Sequence, residues 1–435
     1  MEINPTRMCE LLVGLPDVNV LAVADVPNLP IVVHIECRVE TAWCRSCGVR
    51  AVLKDRDDVE LVDLPCFGRP ARLRWRKQRW HCRETACPAR SWTHVDHRIA
   101  APRAALTDRA ARWATVQVGR HGRSVSDVAD ELGCDWHTVN DAVVRYGEAL
   151  LAADTDRVGM VAALGLDETL FVRLGAWRTQ QWCTSIVDVG APGHPAKLIE
   201  IVEGRTAATV SQWLEAQPAG WLAAIRWGVL DMSGPYRKTF DDSLPDAVQV
   251  ADPFHVVKHA NSKLDECRRR VQNETLGHRG RKGDPLYRSR RLLTTGHDRL
   301  HGRGHTKLLS LLEAGDPHGE VRMTWHAKET VRGLYEIDAP DVAADYLDEL
   351  VVDMAEPAMP PEVQSLAGTL RRWRGQILAW HRARVSNGPT EAFNNLIKRV
   401  KRIAFGFRRF RHYRVRALLY AGRPNWELLA TVTPR

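Results

Sequence analysis

The chain has 435 residues, 44% hydrophobic and 26% charged, with a net charge of +9 and a pI near 9.1. That length is too great for one ordinary core, and the composition excludes a disordered or fibrous chain. The longest apolar stretch, near 158–166, is far too short to span a membrane, and the positive excess favours a polyanionic partner. The opening MEINPTRMCE has no cationic start leading into an apolar core, so a cytoplasmic protein is expected. Its ten cysteines then point to metal binding rather than disulfides.

Residues 1–34 read as an N-terminal segment and 35–98 as a zinc-binding module. Cys44 and Cys47 form a C-x2-C knuckle, and Cys82 and Cys87 a C-x4-C knuckle, with 34 residues between. Four thiolates at such spacing close a tetrahedral zinc site and leave no open position for catalysis. His81, His94 and His97 are alternatives to one of the cysteines. ELVDLP and ARLRWRKQRW alternate and predict the strands of a hairpin. A structural Zn2+ would supply folding energy here.

Residues 99–155 predict a helix-turn-helix domain. Ser124 caps a first helix with Val125, Val128, Ala129 and Leu132 inward; Gly133 turns; Asp135 caps a second helix with Val139, Ala142 and Val143 inward. Trp136, His137, Asn140 and Asp141 are expected on its outer side, where DNA contacts are made. Arg103, Arg109 and Arg112 in the preceding helix add phosphate-binding potential.

From 156 to 255 the pattern changes to strands. VAALGLDETLFVR, WCTSIVDVG and KLIEIVEG predict an antiparallel meander. A helix capped by Thr206, a strand ending at VLD, another helix, and a short strand before DPFHVVKH follow. The order βββαβαβ with a later helix is that of an RNase H-like core. Asp167 lies within its first strand and Asp231 just past its fourth, and carboxylates at such places need a partner or a metal. Asp252 and His255 open the long helix; a capped helix start and a supporting role beside a metal site are the two readings of that pair.

Residues 256–385 predict a basic helical insertion; 268–291 carry nine Lys and Arg against two acids. Residues 386–435 predict the final core helix and a basic C-terminal segment; 386–416 carry nine against one. The lone acid is Glu391, in the first turn of a helix entered through Gly388-Pro389. An N-terminal carboxylate stabilising the helix dipole is the plain explanation, and a metal-binding acid the sharper one. Lys398, Arg399, Lys401 and Arg402 follow on the same helix and suit phosphates. Further on, Phe405, Phe407, Phe410 and Tyr413 interleave with Arg408, Arg409, Arg411, Arg414 and Arg416, a pattern that suits either base stacking or burial.

Taken together, CRSCG with HCRETAC, the helix-turn-helix, LGLDE, VLDMSGPY, DPFHVVKH, GDPLYRSRRLL, SNGPTEAFNNLIKRVKR and GFRRFRHYRVRALLYAG resemble the ISL3 family of bacterial insertion-sequence transposases over nearly the whole chain. The resemblance implies a multidomain α+β protein: zinc module, helix-turn-helix domain, and RNase H-like core with a long helical insertion. It implies an acidic triad of Asp167, Asp231 and Glu391 holding two Mg2+ or Mn2+ ions, with Asp167 bridging them, and a zinc set of Cys44, Cys47, Cys82 and Cys87. The plain C-x4-C second knuckle with Pro88 after it departs from the family pattern. The implied activity is metal-dependent cleavage at terminal inverted repeats and transfer of 3′ ends to target DNA, by a dimer or larger assembly at the nucleoid. A non-catalytic or domesticated DNA-binding protein is the alternative, and it needs no triad.

Overall fold

The computed structural model describes residues 2, 4–190 and 194–434, and the chain divides into two units: 1–157 with 396–435, and 158–395.

The first unit begins with helix α1 (Pro5–Val13) and a sheet of β1 (Val18–Ala24), β2 (Ile31–Cys37), β3 (Val52–Cys66), β4 (Arg69–His81) and β5 (Ser91–Thr93). The sheet order is β1-β2-β4-β3, with β5 on the end of β4. β3 and β4 form the expected hairpin, in register from Val52 opposite His81 to Cys66 opposite Arg69. Alternation sets its faces: Ala71, Leu73 and Trp75 are buried while the arginines between them are not. β2 runs parallel to β4, so the expected boundary at residue 34 falls inside a strand of this sheet.

Helices α2 (Asp108–Thr115), α3 (Val125–Leu132) and α4 (Trp136–Ala153) follow. Ser124 Oγ accepts from Asp127 N at 3.0 Å, Gly133 takes φ 64°, and Asp135 Oδ1 accepts from Thr138 N at 3.0 Å. The expected helix-turn-helix is therefore present, with Val125, Val128, Leu132, Val139 and Val143 in its core.

The second unit is built on β6 (Ala163–Leu174), β7 (Thr179–Asp188), β8 (Lys197–Glu203), β9 (Trp227–Leu230) and β10 (Val248–Ala251), in the order β10-β9-β6-β7-β8. β6, β7 and β8 are antiparallel neighbours, whereas β9 is parallel to β6 and β10 to β9. This is the RNase H-like sheet. Helices α5 (Ala207–Glu215), α6 (Ala219–Ala223) and α7 (Gly234–Ser243) connect its strands, and α8 (Pro253–Leu276) leaves β10. The insertion continues through α9 (Pro285–Thr294), α10 (Gly302–Gly315), α11 (Glu320–Gly333), α12 (Pro340–Met354), α13 (Pro361–Arg372) and α14 (Arg374–Ala383). Val331, Leu347, Leu366 and Ile377 from these helices share one core with Leu164, Leu166, Ile186 and Ile199 of the sheet. The insertion is thus packed on the sheet; its outer part has a second core around Leu264, Leu308 and Trp325.

Helix α15 (Gly388–Ile403) carries the division between the units, which falls after Asn395. Helix α16 (Phe410–Ala421) belongs to the first unit, where Val415 and Leu419 join the helix-turn-helix core. A Cβ on Gly147 would lie 2.7 Å from Val415 Cγ1 and 2.8 Å from Leu419 Cδ1, so glycine there permits the approach of α16 to α4. The sequence assigned 386–435 to the final core helix and a basic C-terminal segment; Val415 and Leu419 of that segment pack in the helix-turn-helix core.

Candidate active site

Asp167, Glu168 and Asp231 offer carboxylate oxygens that all lie within 4.8 Å of one another. β6 supplies the first two, and Asp231 follows β9, the parallel neighbour of β6. Asp167 sits opposite Ser185 on β7. Its Oδ1 accepts the Glu168 N–H at 2.8 Å and its Oδ2 accepts from Asn394 Nδ2 at 2.6 Å. Ser185 Oγ donates to Asn394 Oδ1 at 2.7 Å, which fixes the amide so that its NH2 faces Asp167. Burial, then the Asp231 charge, raise the Asp167 carboxyl to about 6. Burial raises Glu168 and Asp231 as well. Asp231 Oδ1 is buried with no hydrogen-bond partner among the described residues, and Met232 after it is held at φ 65°. Three carboxyls crowded together, one with an orphaned oxygen, form a donor set suited to a hard divalent cation.

Glu391 stands in the first turn of α15 and is not a member of that close group. Its Oε1 lies 3.5 Å from His255 Nε2, and His255 Nδ1 lies 3.1 Å from Asp252 Oδ2. Asp252 Oδ1 also accepts the Asn387 N–H at 3.0 Å, tying the start of α8 to the entrance of α15. Burial pulls the His255 imidazole down, but Asp252, Asp231 and Glu391 outweigh it and leave its pKa raised. His255 therefore contacts both Glu391 and Asp252 and feels the charge of Asp231.

Two residues were unread as site elements in the sequence. Asn394 orients Asp167. Gly165 is a strand glycine at which a Cβ would meet Thr390 Oγ1 at 2.5 Å and Asn387 Oδ1 at 3.0 Å. Its missing side chain is what lets the start of α15 lie against β6. A glycine inside a strand signals such an approach.

In the first unit, Cys44, Cys47, Cys82 and Cys87 converge, with Sγ separations of 3.6 Å for Cys44–Cys87 and 3.4 Å for Cys47–Cys82. Zn–S bonds of about 2.3 Å place tetrahedral sulfurs roughly 3.8 Å apart, so the set fits the ion. Backbone N–H groups of Cys47 and Ser46 pull the Cys44 thiol down to about 6, whereas burial pushes the Cys82 thiol up to about 12. His94 lies instead with Cys37 and Asp96.

Of the candidate DNA contacts, Trp136, His137, Lys398, Arg399, Arg402, Arg408 and Arg409 are exposed and Lys401 is half-buried. Asn140 corrects its expected placement: it is 2% exposed, with Nδ2 3.4 Å from His412 Nδ1, because the start of α16 covers that part of α4. Arg411 is exposed but ion-paired with Glu148, its Nε 2.6 Å from Oε1. Arg109 pairs with Asp63 and Arg112 with Asp108, so both are tied within the domain.

The RNase H-like sheet with converging acids, joined to a cysteine knuckle pair and a helix-turn-helix, defines a DDE-type transposase architecture. The chain belongs to the ISL3 transposase family: the family profile described as "Transposase" matches residues 164–417, that of the "Helix-turn-helix domain of transposase family ISL3" residues 95–147, and that of the "zinc-finger of transposase IS204/IS1001/IS1096/IS1165" residues 40–87. The transposase for insertion sequence element IS1557 of Mycobacterium tuberculosis is 28% identical over 309 residues, which make up 66% of this chain and 65% of that relative. The chain thus matches slightly less than two thirds of that relative's length. The transposase for insertion sequence element IS1001 of Bordetella parapertussis is 24% identical over 393 residues, 88% of this chain and 89% of the relative. The Drosophila P element transposase strand transfer complex is similar at TM-score 0.40 and 10% identity, over 74% of this chain and 94% of that one. No helix among the described residues is long and apolar enough to cross a membrane.

Proposed function

We propose that the chain binds the terminal inverted repeats of an insertion sequence, cuts DNA at their ends and joins the 3′ ends to target DNA. The observation that carries this reading is the acidic cluster on adjacent β6 and β9, with Asp231 Oδ1 buried and unpartnered. Asp167, Asp231 and Glu391 are the metal-holding acids. Two divalent ions, Mg2+ or Mn2+, supply phosphoryl charge neutralisation and activation of the attacking hydroxyl when bound there. Asn394, fixed by Ser185, keeps the Asp167 carboxylate turned in one direction. His255 holds Glu391 through Nε2 while its Nδ1 is anchored by Asp252, so the third acid enters from α15 at a defined orientation. Glu168 is a further acid at the same place, steadied by Tyr236.

Around that chemistry, Cys44, Cys47, Cys82 and Cys87 hold a structural zinc. Trp136 and His137 face DNA, and Lys398, Arg399, Lys401, Arg402, Arg408 and Arg409 grip its backbone. Two ends must be held together, so the working form is at least a dimer, acting at the cytoplasmic nucleoid. The test is strand cleavage of a duplex containing the element's own terminal repeat. Cleavage that requires Mg2+ or Mn2+ and is lost in Asp231→Asn supports the reading. Tight repeat binding with no cleavage under any divalent ion would instead leave a DNA-binding protein without catalysis.

A further inference from the structure

The chain leaves α15 through an unusual cap. The Phe405 N–H bonds to Arg402 O at 3.1 Å and the Gly406 N–H to Lys401 O at 3.0 Å. That pair of bonds puts Phe405 at the left-handed position which glycine ordinarily takes, with φ 53°. A bulky residue at positive φ is a strained outlier. Such a cap normally gains from an apolar contact, yet Phe405 is 98% exposed. Glycine, the residue suited to that backbone, stands one position later. The folded domain leaves the Phe405 ring almost wholly in solvent.

Beside it opens a cavity of about 490 Å3, within the roughly 300–1,000 Å3 of pockets that enclose small ligands. Trp136, His137 and Asn140 of α4 form one wall, and Phe407, Arg409 and His412 the other. Arg416 also lines it. Arg416 is 3% exposed, its Nε has no hydrogen-bond partner among the described residues, and the guanidinium stacks 5.4 Å from the Phe407 ring centroid. Its Nη2 donates to the backbone oxygen of Arg123 at 3.4 Å. A buried guanidinium whose idle donor lies behind the cavity wall suits the acceptor edge of a nucleobase or a phosphate. Burial lowers its pKa to about 10, which shows how little compensation the folded domain provides.

We propose that Phe405 inserts into the DNA stack and that the cavity between α4 and the 404–412 segment receives one extruded, unpaired base. Phe405 fills the gap left in the stack, the cavity walls provide aromatic and imidazole faces, and the Arg416 guanidinium, which borders the cavity, supplies positive charge to the base edge. The exposed Arg402, Arg408 and Arg409 hold the flanking phosphates. This inference rests on DNA being the partner, but not on cleavage.

The test uses the full chain and two short duplexes, one fully paired and one identical except for a single unpaired adenine, with binding read by fluorescence anisotropy. Wild type is expected to prefer the unpaired duplex by roughly tenfold. Phe405→Gly is expected to abolish that preference while its melting temperature stays the same or rises, since glycine relieves the strained backbone. Arg416→Lys should reduce the preference more modestly. Equal wild-type affinity for the two duplexes overturns the base pocket and leaves DNA binding standing. Failure to bind either removes DNA as partner as well. Equal losses on both duplexes in Phe405→Gly reduce Phe405 to a general contact and also overturn the proposal.

Discussion

Asp167 illustrates how a single position conflicts with stability in the service of a site. The free carboxyl ionises near 3.8, but the folded one keeps its proton to about 6. Between those values the folded chain binds more protons than the unfolded chain, so stability falls as pH rises through the window. Above it the full cost of burying the charge beside Asp231 and Glu168 is present. In buffer containing zinc but no Mg2+ or Mn2+, Asp167→Asn should melt higher than wild type near neutral pH. The gap should close as pH is lowered from about 6 towards 4. A neutral-pH melting temperature below wild type would contradict this. Gly165 makes the complementary case. An alanine Cβ would press on Thr390 and on Val189 Cγ1 at 2.6 Å, so Gly165→Ala should cost about 1–3 kcal/mol by overpacking. Cleavage should fall further than stability, because Asn394 is carried away from Asp167. Full cleavage in a folded Gly165→Ala protein would show that this approach is not needed. The sequence made Asp167 and Asp231 visible because charged residues interrupt apolar strands. Asn394 was not visible in the same way: its partner lies 227 residues away, and only folding reveals the pair.

At the scale of elements, local rules were the readable part. The capping side chains of Ser124, Asp135 and Thr206 fall where expected, since a cap is decided within four residues. Strands β6 to β8 were legible from their apolar runs. Strand β1 was not, because it lies at the sheet edge with only Val18 buried and has no alternation to read. The aromatic residues after α15 carried two open readings, and they divide: Tyr413 is fully buried whereas Phe405 is 98% exposed. The zinc module joins sequence and energy most directly. Two short knuckles bury only a small cluster of Cys44, Cys82 and Cys87 with Ala89 and Trp92 against it, too little apolar surface to hold them without metal. Purified protein should contain about one zinc per chain. Cys44→Ser with Cys47→Ser should lose it and bind the terminal repeat weakly, while protease resistance of the 158–395 unit persists. Full repeat affinity in a zinc-free preparation would remove the metal from the account.

For the whole molecule, the two units have separate cores, and α15 spans the division between them. That helix begins with Glu391 beside His255 and ends in a basic run, which is why one short sequence reads as two kinds of site. The account's central claim is that Glu391 belongs to metal chemistry rather than to helix capping. Glutamine also serves at a helix N-terminus, so a mere cap would lose a fraction of a kcal/mol and activity would survive. The direct measurement is strand cleavage of a terminal-repeat duplex by Glu391→Gln in Mg2+ and in Mn2+, beside binding of the same duplex in Ca2+. Cleavage reduced by orders of magnitude with binding unchanged is the predicted result. Cleavage near the wild-type rate would contradict it and pass the third acid's role to Glu168 or Asp252.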